Sequence, residues 1–326
     1  MTLGKEKKEH EEEGQGTVLR NSGTLWGEGS ETFAAVCSRR GEKGTNQDCS
    51  IVWEGFGCQE NSIFCGIFDG HGQWGHYVAK AVRDSLPPSL LCHRQEAVAL
   101  ASLVDGEKKL SDCQFDLWKQ SYLTAAATVD EELRRNRRLD AVDSGSTALS
   151  IVKQGEMMVI ANVGDSRAVL ATRSDDGSVA AVQLTVDFKP NLPQEEERIT
   201  QCKGRVYYQG DEPGVYRVWL PDQEAPGLAM SRAFGDYCVK DYGVISVPEV
   251  TQRRITARDQ FVILATDGVW DVISNEEAVQ IVAATPVREK AAKRLVQCAV
   301  RGWRRKRRGY AVDDCSALCL FFHSPS

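Results

Sequence analysis

Several features that would place this protein in other classes are absent from its sequence. The 326 residues contain no apolar run long enough to span a membrane, no pair of cysteines separated by two residues, and five scattered histidines. A membrane-spanning helix needs about 20 apolar residues, and structural zinc is held by clustered cysteine and histidine. We therefore expect neither a transmembrane protein nor a structural zinc site.

Basic residues are not in excess either. Lysine and arginine number 40 against 46 aspartates and glutamates, and the formal net charge is -6. A protein of this charge has no general attraction to nucleic acid or to anionic membranes, so neither is expected as a partner. The local exception is the basic run 304–308. This run could direct nuclear import, or it could be a solvated loop between the last helix and the last strand.

Nothing near the first residue predicts export or a lipid anchor. Residues 1–16 lack the apolar core of a secretory signal, and Thr2 stands where N-myristoylation needs glycine. The eleven cysteines are an odd number, and several, such as Cys65 and Cys319, lie within apolar stretches. Such usage is typical of small buried side chains in a reducing compartment. We expect an intracellular protein that is cytoplasmic, nuclear or both.

The composition predicts one folded domain that follows a polar arm. Hydrophobic residues make up 42% of the chain, which is enough for a substantial core. We expect a disordered polar arm over 1–26 and a single domain over 27–323. Short apolar runs joined by hairpin-like turns, such as 153–156, favour antiparallel strands, and the spacing of apolar residues from Trp118 to Leu133 predicts one face of a helix. This mixture indicates the α+β class.

Other local signals predict where elements begin and end. Residues 274–277 read as a capping box at the start of a helix, and Pro at 286 is expected to open the last helix. The prolines at 87 and 88 are expected to stop an earlier helix. The stretch 94–116 is poorly periodic and predicts a variable loop or a short helix. Two aromatic runs within 206–219 predict a hairpin.

Acidic residues stand at the ends of three apolar runs. The runs 64–68 and 261–266 stop at Asp69 and Asp267, and Asp313 leads into the last apolar run. If these strand ends converge, the carboxylates would repel one another unless cations lay between them. Hard oxygen ligands without a zinc-type set indicate magnesium or manganese. Two such ions, about 4 Å apart, could activate a hydroxide for in-line attack on a phosphate.

A candidate general acid follows the first of these acidic residues. His71 lies two residues beyond Asp69, where it could protonate the departing oxygen. An Asp-Gly pair after a strand is also a common turn signal, so a single instance would favour a purely structural turn. Three acidic strand ends in one chain favour the metal site.

Five motifs resemble those of the protein phosphatase 2C family. They occur in the expected order: Phe68-Asp69-Gly70-His71-Gly72, Ser144-Gly145-Ser146-Thr147-Ala148, Ala161-Asn162-Val163-Gly164-Asp165-Ser166-Arg167-Ala168, Ser231-Arg232-Ala233-Phe234-Gly235-Asp236 and Asp267-Gly268-Val269-Trp270-Asp271. The likeness extends from about Thr32 to Phe322. The segments 46–48 and 184–190 resemble the plant branch of the family.

The resemblance implies a fold and an activity. The fold would be a four-layer α-β-β-α sandwich with two central, mostly antiparallel sheets and a metal site at one end between them. The activity would be hydrolysis of phosphoserine and phosphothreonine in proteins by a monomer. Part of the segment 195–232 would form a flap that borders the active site and influences the choice of substrate.

The resemblance also implies a set of site residues for two Mg²⁺ or Mn²⁺ ions and a weaker third ion. Asp69 would bridge the two metals and the Gly70 carbonyl would bind one of them. The remaining residues are Asp267 and Asp313 as metal ligands, Asp48 as a contact of metal-bound water, Asp165 and Asp271 at the third-ion positions, and His71 as general acid.

Three residues depart from the family pattern. Gln47 stands where many relatives have Glu, which removes one water-mediated carboxylate. Lys43 falls where many members carry the phosphate-binding Arg, and a point charge orients phosphate less well than a bidentate fork. Phe188 replaces a His, and we predict a packing role for it. Some plant members of the family share the residues at 47 and 43, which favours tuned activity over absent activity.

Two alternatives remain beside the metal-dependent enzyme. The substitutions at Gln47 and Lys43 could belong to a catalytically weak relative that binds phosphoproteins or a receptor as a scaffold, although the intact acidic strand ends favour the enzyme. The spacing from Cys298 to Arg304 matches a cysteine-dependent phosphatase. Apolar spacing over 292–299 places Cys298 on a helix, however, and not in a phosphate-binding loop.

Overall fold

Two antiparallel sheets form the centre of the protein. The computed structural model describes residues 10–12, 17–26, 33–105, 114–210, 212–306 and 311–323. The first sheet consists, in spatial order, of β1 (His10–Glu12), β2 (Thr17–Arg20), β5 (Cys49–Glu54), β6 (Ser62–Phe68), β9 (Ala148–Gln154), β10 (Met157–Val163) and β17 (Glu249–Arg254). The second consists of β12 (Val179–Gln183), β11 (Arg167–Arg173), β18 (Asp259–Ala265), β19 (Cys315–Phe321), β4 (Phe33–Arg39) and β3 (Gly23–Trp26).

Two small antiparallel sheets accompany the central pair. One is formed by β16 (Phe234–Gly235), β8 (Ser144–Ser146) and β7 (Gly70–Gly72). The other is formed by β13 (Arg205–Tyr207), β14 (Arg217–Trp219) and β15 (Pro226–Leu228). The pairing of β13 with β14 confirms the hairpin predicted within 206–219.

Helices cover the outer faces of both central sheets. The first sheet is covered by α1 (Gly75–Asp105) and α2 (Gln114–Arg135), and the second by α6 (Asn275–Ala283) and α7 (Ala291–Lys306). The shorter helices are α3 (Pro193–Gln201), α4 (Tyr237–Lys240) and α5 (Asp267–Trp270), with a 3₁₀ turn at Arg288–Lys290.

Three stacked hydrophobic cores hold these layers together. Phe64 and Tyr122 belong to the core between the first sheet and its helices. Leu149 lies in the core between the two sheets, and Leu295 in the core between the second sheet and its helices. Because full burial of such a side chain stabilises the fold by about 1.5–3 kcal/mol, each of the three cores contributes substantially. The predicted four-layer α-β-β-α sandwich is confirmed.

The boundary of the N-terminal arm differs from the expected one. Residues 17–26 form β2 and β3, which pair with the first and second central sheets respectively. Val18, Leu19 and Leu25 are buried, so these short strands belong to the domain. The apolar stretches of β2 and β3 are too short to predict strands from the sequence. In the structure, β2 pairs with β5 and β3 pairs with β4. Residues 1–9 and 13–16 of the expected arm lie outside the described residues.

Two predicted helix boundaries were wrong. Pro87 and Pro88 lie inside α1, which continues to Asp105, because buried Val82, Leu86 and Leu90 carry its apolar stripe past the prolines. The helix therefore occupies part of the expected loop 94–116, of which 106–113 is not described. Pro286 does not open the last helix either, since α7 begins at Ala291 after the 3₁₀ turn.

Other local predictions agree with the structure. Ser274 caps α6 with its side chain, and Glu277 returns the hydrogen bond to complete the box. The apolar face from Trp118 to Leu133 is buried on α2. The basic run 304–308 does not begin as a loop, because Arg304 and Arg305 continue α7; residues 307–308 are not described.

Candidate active site

Strand ends hold the predicted carboxylates at one end of the two central sheets. Asp69 follows β6, whose seven residues are all buried. Its backbone N–H donates to Thr147 Oγ1 at 2.9 Å, and its carbonyl accepts from Thr147 N at 2.8 Å. These two hydrogen bonds to Thr147 fix the backbone of Asp69 where the strand leaves the core.

The last two strands of the second sheet bring Asp267 close to Asp313. Asp267 begins α5 directly after β18, and Asp313 precedes β19, which pairs with β18. Gly268 lies against this junction: a Cβ there would be 1.8 Å from the Asp314 carbonyl oxygen and 3.4 Å from Asp313 Cβ. The absence of a side chain at 268 is therefore what lets the two acidic strand ends approach.

Asp48 connects the two sheets from the start of β5. It is 7% exposed, and its Oδ2 accepts a hydrogen bond from Thr266 Oγ1 at 3.0 Å. Cys49 pairs with Phe68, so Asp48 and Asp69 lie at the same edge of the first sheet. The second oxygen of Asp48, Oδ1, is buried and has no hydrogen-bond partner among the described residues.

Burial, and then the charges of neighbouring carboxylates, raise the pKa values of these carboxyl groups. Burial, followed by the charges of Asp48, Asp267, Asp313 and Asp165, raises the pKa of Asp69 well above its usual range. Burial and neighbouring carboxylates raise the pKa of Asp267 in the same way. Such a cluster becomes stable in its ionised form when cations lie between the carboxylates.

Burial and neighbouring carboxylates act on Asp48 in the same way. Burial raises its pKa to about 7, and the charges of Asp314 and Asp313 act in the same direction. Asp165, after β10, is 2% exposed, and its Oδ1 is likewise buried and without a partner in the described residues. Unpartnered buried carboxylate oxygens are the donor type that Mg²⁺ and Mn²⁺ prefer. The residues present therefore fit a site for hard divalent cations.

Two lysines occupy part of this acidic cluster. Lys43 Nζ lies 2.5 Å from Asp313 Oδ2, and Lys189 Nζ pairs with Asp165 Oδ2. Each ammonium group draws one carboxylate to itself. Consistently, no three His, Cys, Asp or Glu side chains among the described residues enclose a common point where a metal ion could sit. Lys43 and Lys189 thus occupy positions beside Asp313 and Asp165 that cations would otherwise take.

Lys189 was not predicted as a site residue. Burial opposes its charge, yet Asp165, Asp267 and Asp271 raise its pKa above the usual range. Asp271, at the end of α5, is exposed, and its charge acts on both Lys189 and Asp267. Lys189 stands within the segment 184–190 that we used as a marker of the plant branch. Its immediate neighbours, Phe188 and Pro190, give no other signal of a site residue.

His71 is held by an acidic partner from another motif. Its Nε2 lies 2.7 Å from Asp236 Oδ2. Burial opposes protonation, but the charge of Asp236 and its hydrogen bond raise the pKa of His71 overall. Asp236 adopts a left-handed backbone (φ 52°) and its N–H donates to the Ser144 carbonyl at 3.0 Å. The motif that ends at Asp236 does not by itself predict this role.

The three departures from the family pattern have defined contacts. The Gln47 backbone N–H donates to Asp314 Oδ2 at 2.8 Å, and its Nε2 donates to the Gly72 carbonyl at 3.0 Å. Gln47 thus links β7 to the acidic strand end of the second sheet. Phe188 is buried, and the Arg232 guanidinium lies 3.7 Å from the centre of its ring, which confirms the predicted packing role.

The structure does not support a cysteine-dependent phosphatase site at Cys298. Cys298 lies in the middle of α7, so no loop surrounds it for a phosphate and the cysteine-dependent mechanism is rejected. The ten cysteines within the described residues are free thiols. None of the helices described here combines the length and the apolar character needed to cross a bilayer.

Helix pairs on both sides of two antiparallel sheets, with buried carboxylates where strands of both sheets end, define the class of metal-dependent phosphatases. The family model for protein phosphatase 2C matches residues 34–305. The chain belongs to the protein phosphatase 2C family, and it is a serine/threonine phosphatase; members of this family generally depend on Mg²⁺ or Mn²⁺.

Relatives in plants are similar over most of their length. "Probable protein phosphatase 2C 48" of Oryza sativa subsp. japonica is 78% identical over 313 residues, covering 94% of this chain and 89% of the relative. "Probable protein phosphatase 2C 34" of Arabidopsis thaliana is 65% identical, covering 95% and 86%. These relatives support the plant-type branch.

A solved structure supports the fold. The crystal structure of serine-threonine phosphatase 2C from Toxoplasma gondii superposes with a TM-score of 0.83 at 24% identity, covering 94% of this chain and 99% of that one. At this identity the likeness supports the fold alone.

Proposed function

We propose that this phosphatase hydrolyses phosphoserine and phosphothreonine in proteins in one step, with two Mg²⁺ or Mn²⁺ ions in the acidic cluster. Asp69, the Gly70 carbonyl, Asp267 and Asp313 would hold the two ions, with Asp48 binding through water. When bound, the ions would supply Lewis acidity and neutralise phosphate charge. The observation that supports this most is the burial of Asp48 and Asp165 in the acidic cluster, where the Oδ1 atom of each has no hydrogen-bond partner among the described residues.

A weaker third ion would lie near Asp165 and Asp271. Asp165 supports this assignment through its unpartnered buried Oδ1. Lys189 pairs with Asp165 in the present structure. We infer that this lysine competes with the third ion for the same carboxylate, which accounts for weaker binding there.

His71 would donate a proton to the serine or threonine oxygen as the phosphate ester bond breaks. Its hydrogen bond to Asp236 fixes the ring and favours the charged form, which is the form a general acid needs. Its Nδ1 is buried and has no hydrogen-bond partner among the described residues, so this nitrogen would donate a proton only where the substrate oxygen or a water molecule reaches it. Asp236 acts as a positioning residue.

Lys43 would orient the substrate phosphate. Its side chain is 57% exposed and reaches Asp313, so it extends from the surface to the edge of the acidic cluster. If Asp313 held a cation, the ammonium group of Lys43 would be free to contact a phosphate oxygen. A lysine makes one charge contact there where an arginine would make two.

The test is release of phosphate from a phosphothreonine peptide by the purified full chain with Mn²⁺ or Mg²⁺. Chelation and Asp69→Asn should each abolish turnover. A matched control is Asp175→Asn, which changes an exposed aspartate that pairs with Arg258 and should leave turnover unchanged. Turnover by Asp69→Asn at the wild-type rate would contradict the proposal.

The scaffold is the second candidate, and the two lysine pairs favour it. Lys43 and Lys189 neutralise carboxylates without metal, so a metal-free form could fold and bind phosphoproteins. A folded chain that binds metal and a phosphopeptide without turnover would support this candidate. For either function we propose an intracellular monomer, in keeping with the free thiols of the described residues.

A further inference from the structure

A groove opens beside His71, where the end of α2 faces the start of α1. Its volume is about 890 Å³. One wall consists of aromatic and apolar side chains, among them Trp74, Tyr77, Val142 and Tyr237, and the other is the turn that follows α2. None of these residues belongs to the acidic cluster.

The apolar wall is unusually exposed. The exposed fractions are 39% for Trp74, 51% for Tyr77 and 49% for Val142. The two aromatic rings are 6.0 Å apart and inclined by 32°. Exposed tryptophan and tyrosine are enriched where proteins bind one another, because their rings bury much area at little cost in conformational entropy.

The opposite wall is basic. Arg134, Arg137 and Arg138 are exposed and line the groove, and Asp140 is the acidic member of the lining. Arg134 lies over the Tyr237 ring, 5.8 Å from its centre. In the described part of the chain, no acidic side chain pairs with these three arginines, whereas the neighbouring Arg135 binds Glu131 at 2.7 Å on the outer face of the helix.

Asp140 does not neutralise this wall. Its Oδ1 accepts a hydrogen bond from the backbone N–H of Val142 at 3.0 Å, which shapes the turn. The lining therefore holds three guanidinium groups and one carboxylate, and this carboxylate already accepts a hydrogen bond within its own turn. Such a surface attracts carboxylates and phosphates, and it repels basic segments.

Two residues of the groove lining lie next to candidate active-site residues along the chain. Tyr237 directly follows Asp236, the partner of His71. Trp74 lies three residues after His71, so their Cα atoms are at most about 11 Å apart. An extended peptide covers about 3.3 Å per residue. A peptide with its phosphorylated residue beside His71 would therefore come level with Trp74, in the lining of the groove that also holds the arginines, three or more residues further along.

We propose that this groove binds an acidic segment of the substrate protein, three to five residues from the phosphorylated serine or threonine. The arginines pair with its carboxylates, and the apolar wall packs against the intervening residues. The groove selects phosphoproteins by the charge next to the phosphorylated residue. The inference rests on the proposed function, since it names the substrate class of the same site.

The test compares two phosphothreonine peptides with the full chain and Mn²⁺. One peptide has aspartates three to five residues from the phosphothreonine on both sides, and the other has asparagines there. The double variant Arg137→Gln/Arg138→Gln should lower kcat/KM for the acidic peptide about fivefold, because exposed charge pairs contribute about 0.2–1 kcal/mol each. The loss should appear in KM, while kcat stays unchanged.

The matched control is Arg304→Gln/Arg305→Gln. It removes the same charge from two exposed arginines of α7 and should not change the preference. Equal losses in the two double variants would overturn the proposal, since they would reflect net charge alone. An equal loss on both peptides, or a wild-type chain without preference for the acidic peptide, would overturn it as well.

Hydrolysis of p-nitrophenyl phosphate separates failure of the groove from failure of the proposed activity. All variants should hydrolyse this small substrate equally. If the wild-type chain hydrolyses neither peptide nor the small substrate, the proposed function fails. The groove is then tested by fluorescence anisotropy of the labelled acidic peptide, whose binding should weaken about fivefold in Arg137→Gln/Arg138→Gln. Unchanged binding would reject the groove.

Discussion

Glu195 should be a major determinant of stability although it is remote from the acidic cluster in the sequence. This residue lies on α3 and is 2% exposed. Its carboxylate accepts two hydrogen bonds from Arg198 at 2.8 Å, two from Arg232 at 2.7 and 3.0 Å, and one from Ser231 at 2.6 Å. The network fixes α3 to the segment that leads to Asp236.

The variant Glu195→Gln should lose about 3 kcal/mol in the free energy of unfolding. Removal of one partner from a buried ion pair costs about 3–5 kcal/mol, because the remaining charge stays uncompensated. The lower figure applies here, since Arg198 also donates to the Gly243 carbonyl and Arg232 to the Val247 carbonyl. For a chain of 326 residues, whose entropy of unfolding is about 2.1 cal/mol/K per residue, the loss should lower Tm by about 4–5 °C.

The pH dependence gives an independent check on Glu195. Burial opposes its charge, but hydrogen bonds from Arg198, Arg232 and Ser231 hold its pKa at about 2, below the ordinary value of 4.5. Because the pKa is lower in the folded protein, the ionised group stabilises the fold fully above pH 4.5. That contribution is lost as the pH falls toward 2. The Tm difference between wild type and Glu195→Gln should shrink over this range.

The assay is thermal unfolding followed by circular dichroism between pH 2 and 7. The matched control is Glu197→Gln, which changes an exposed glutamate two residues away on the same helix. The control should shift Tm by less than about 2 °C, since surface substitutions stay within about 0.5 kcal/mol. A shift for Glu195→Gln as small as that of the control, or one that persists to pH 2, would refute the reasoning.

Three further predictions concern the site and its frame. Asp236→Asn should lower kcat about 10- to 100-fold in a phosphopeptide assay, because His71 loses a charged hydrogen bond of about 1.5–3 kcal/mol. Gly268→Ala should lower the free energy of unfolding, measured by chemical denaturation, by about 3 kcal/mol, because the new Cβ would lie 1.8 Å from the Asp314 carbonyl oxygen. Ser274→Ala should cost about 1 kcal/mol in the same denaturation, through loss of the α6 cap.

Controls sharpen two of these predictions. Asp241→Asn changes an exposed aspartate near Asp236 and should leave kcat unchanged. Gly210→Ala places a methyl group in open space and should leave stability unchanged. Wild-type kcat in Asp236→Asn would contradict the positioning role of Asp236. Wild-type stability in Gly268→Ala would show that the acidic strand ends do not need their close approach.

The acidic strand ends could be predicted from the sequence because strand and carboxylate are contiguous there. An apolar run that stops at Asp69 or Asp267 predicts a strand, and the aspartate predicts a carboxylate at the end of that strand. The β-hairpins and the α6 cap were predicted for the same reason, since their signals are local. The relative placement of the two sheets came from the family resemblance.

Contacts between distant segments could not be predicted in this way. Asp236 approaches His71 across 165 positions of sequence, and its role depends on the pairing of β8 with both β7 and β16. Lys189 and Glu195 likewise act on partners brought near by the fold. The prolines of α1 show the converse, because packing of the helix overrode a local stop signal.

The central claim is that the acidic cluster binds two divalent cations that the activity requires. The most direct measurement combines isothermal titration of the full chain with Mn²⁺ and phosphate release by the same samples. The account predicts two strong sites in the wild-type chain, with turnover rising as they fill, and loss of both the strong sites and turnover in Asp69→Asn. Turnover by metal-free protein, or wild-type Mn²⁺ binding by Asp69→Asn, would contradict it.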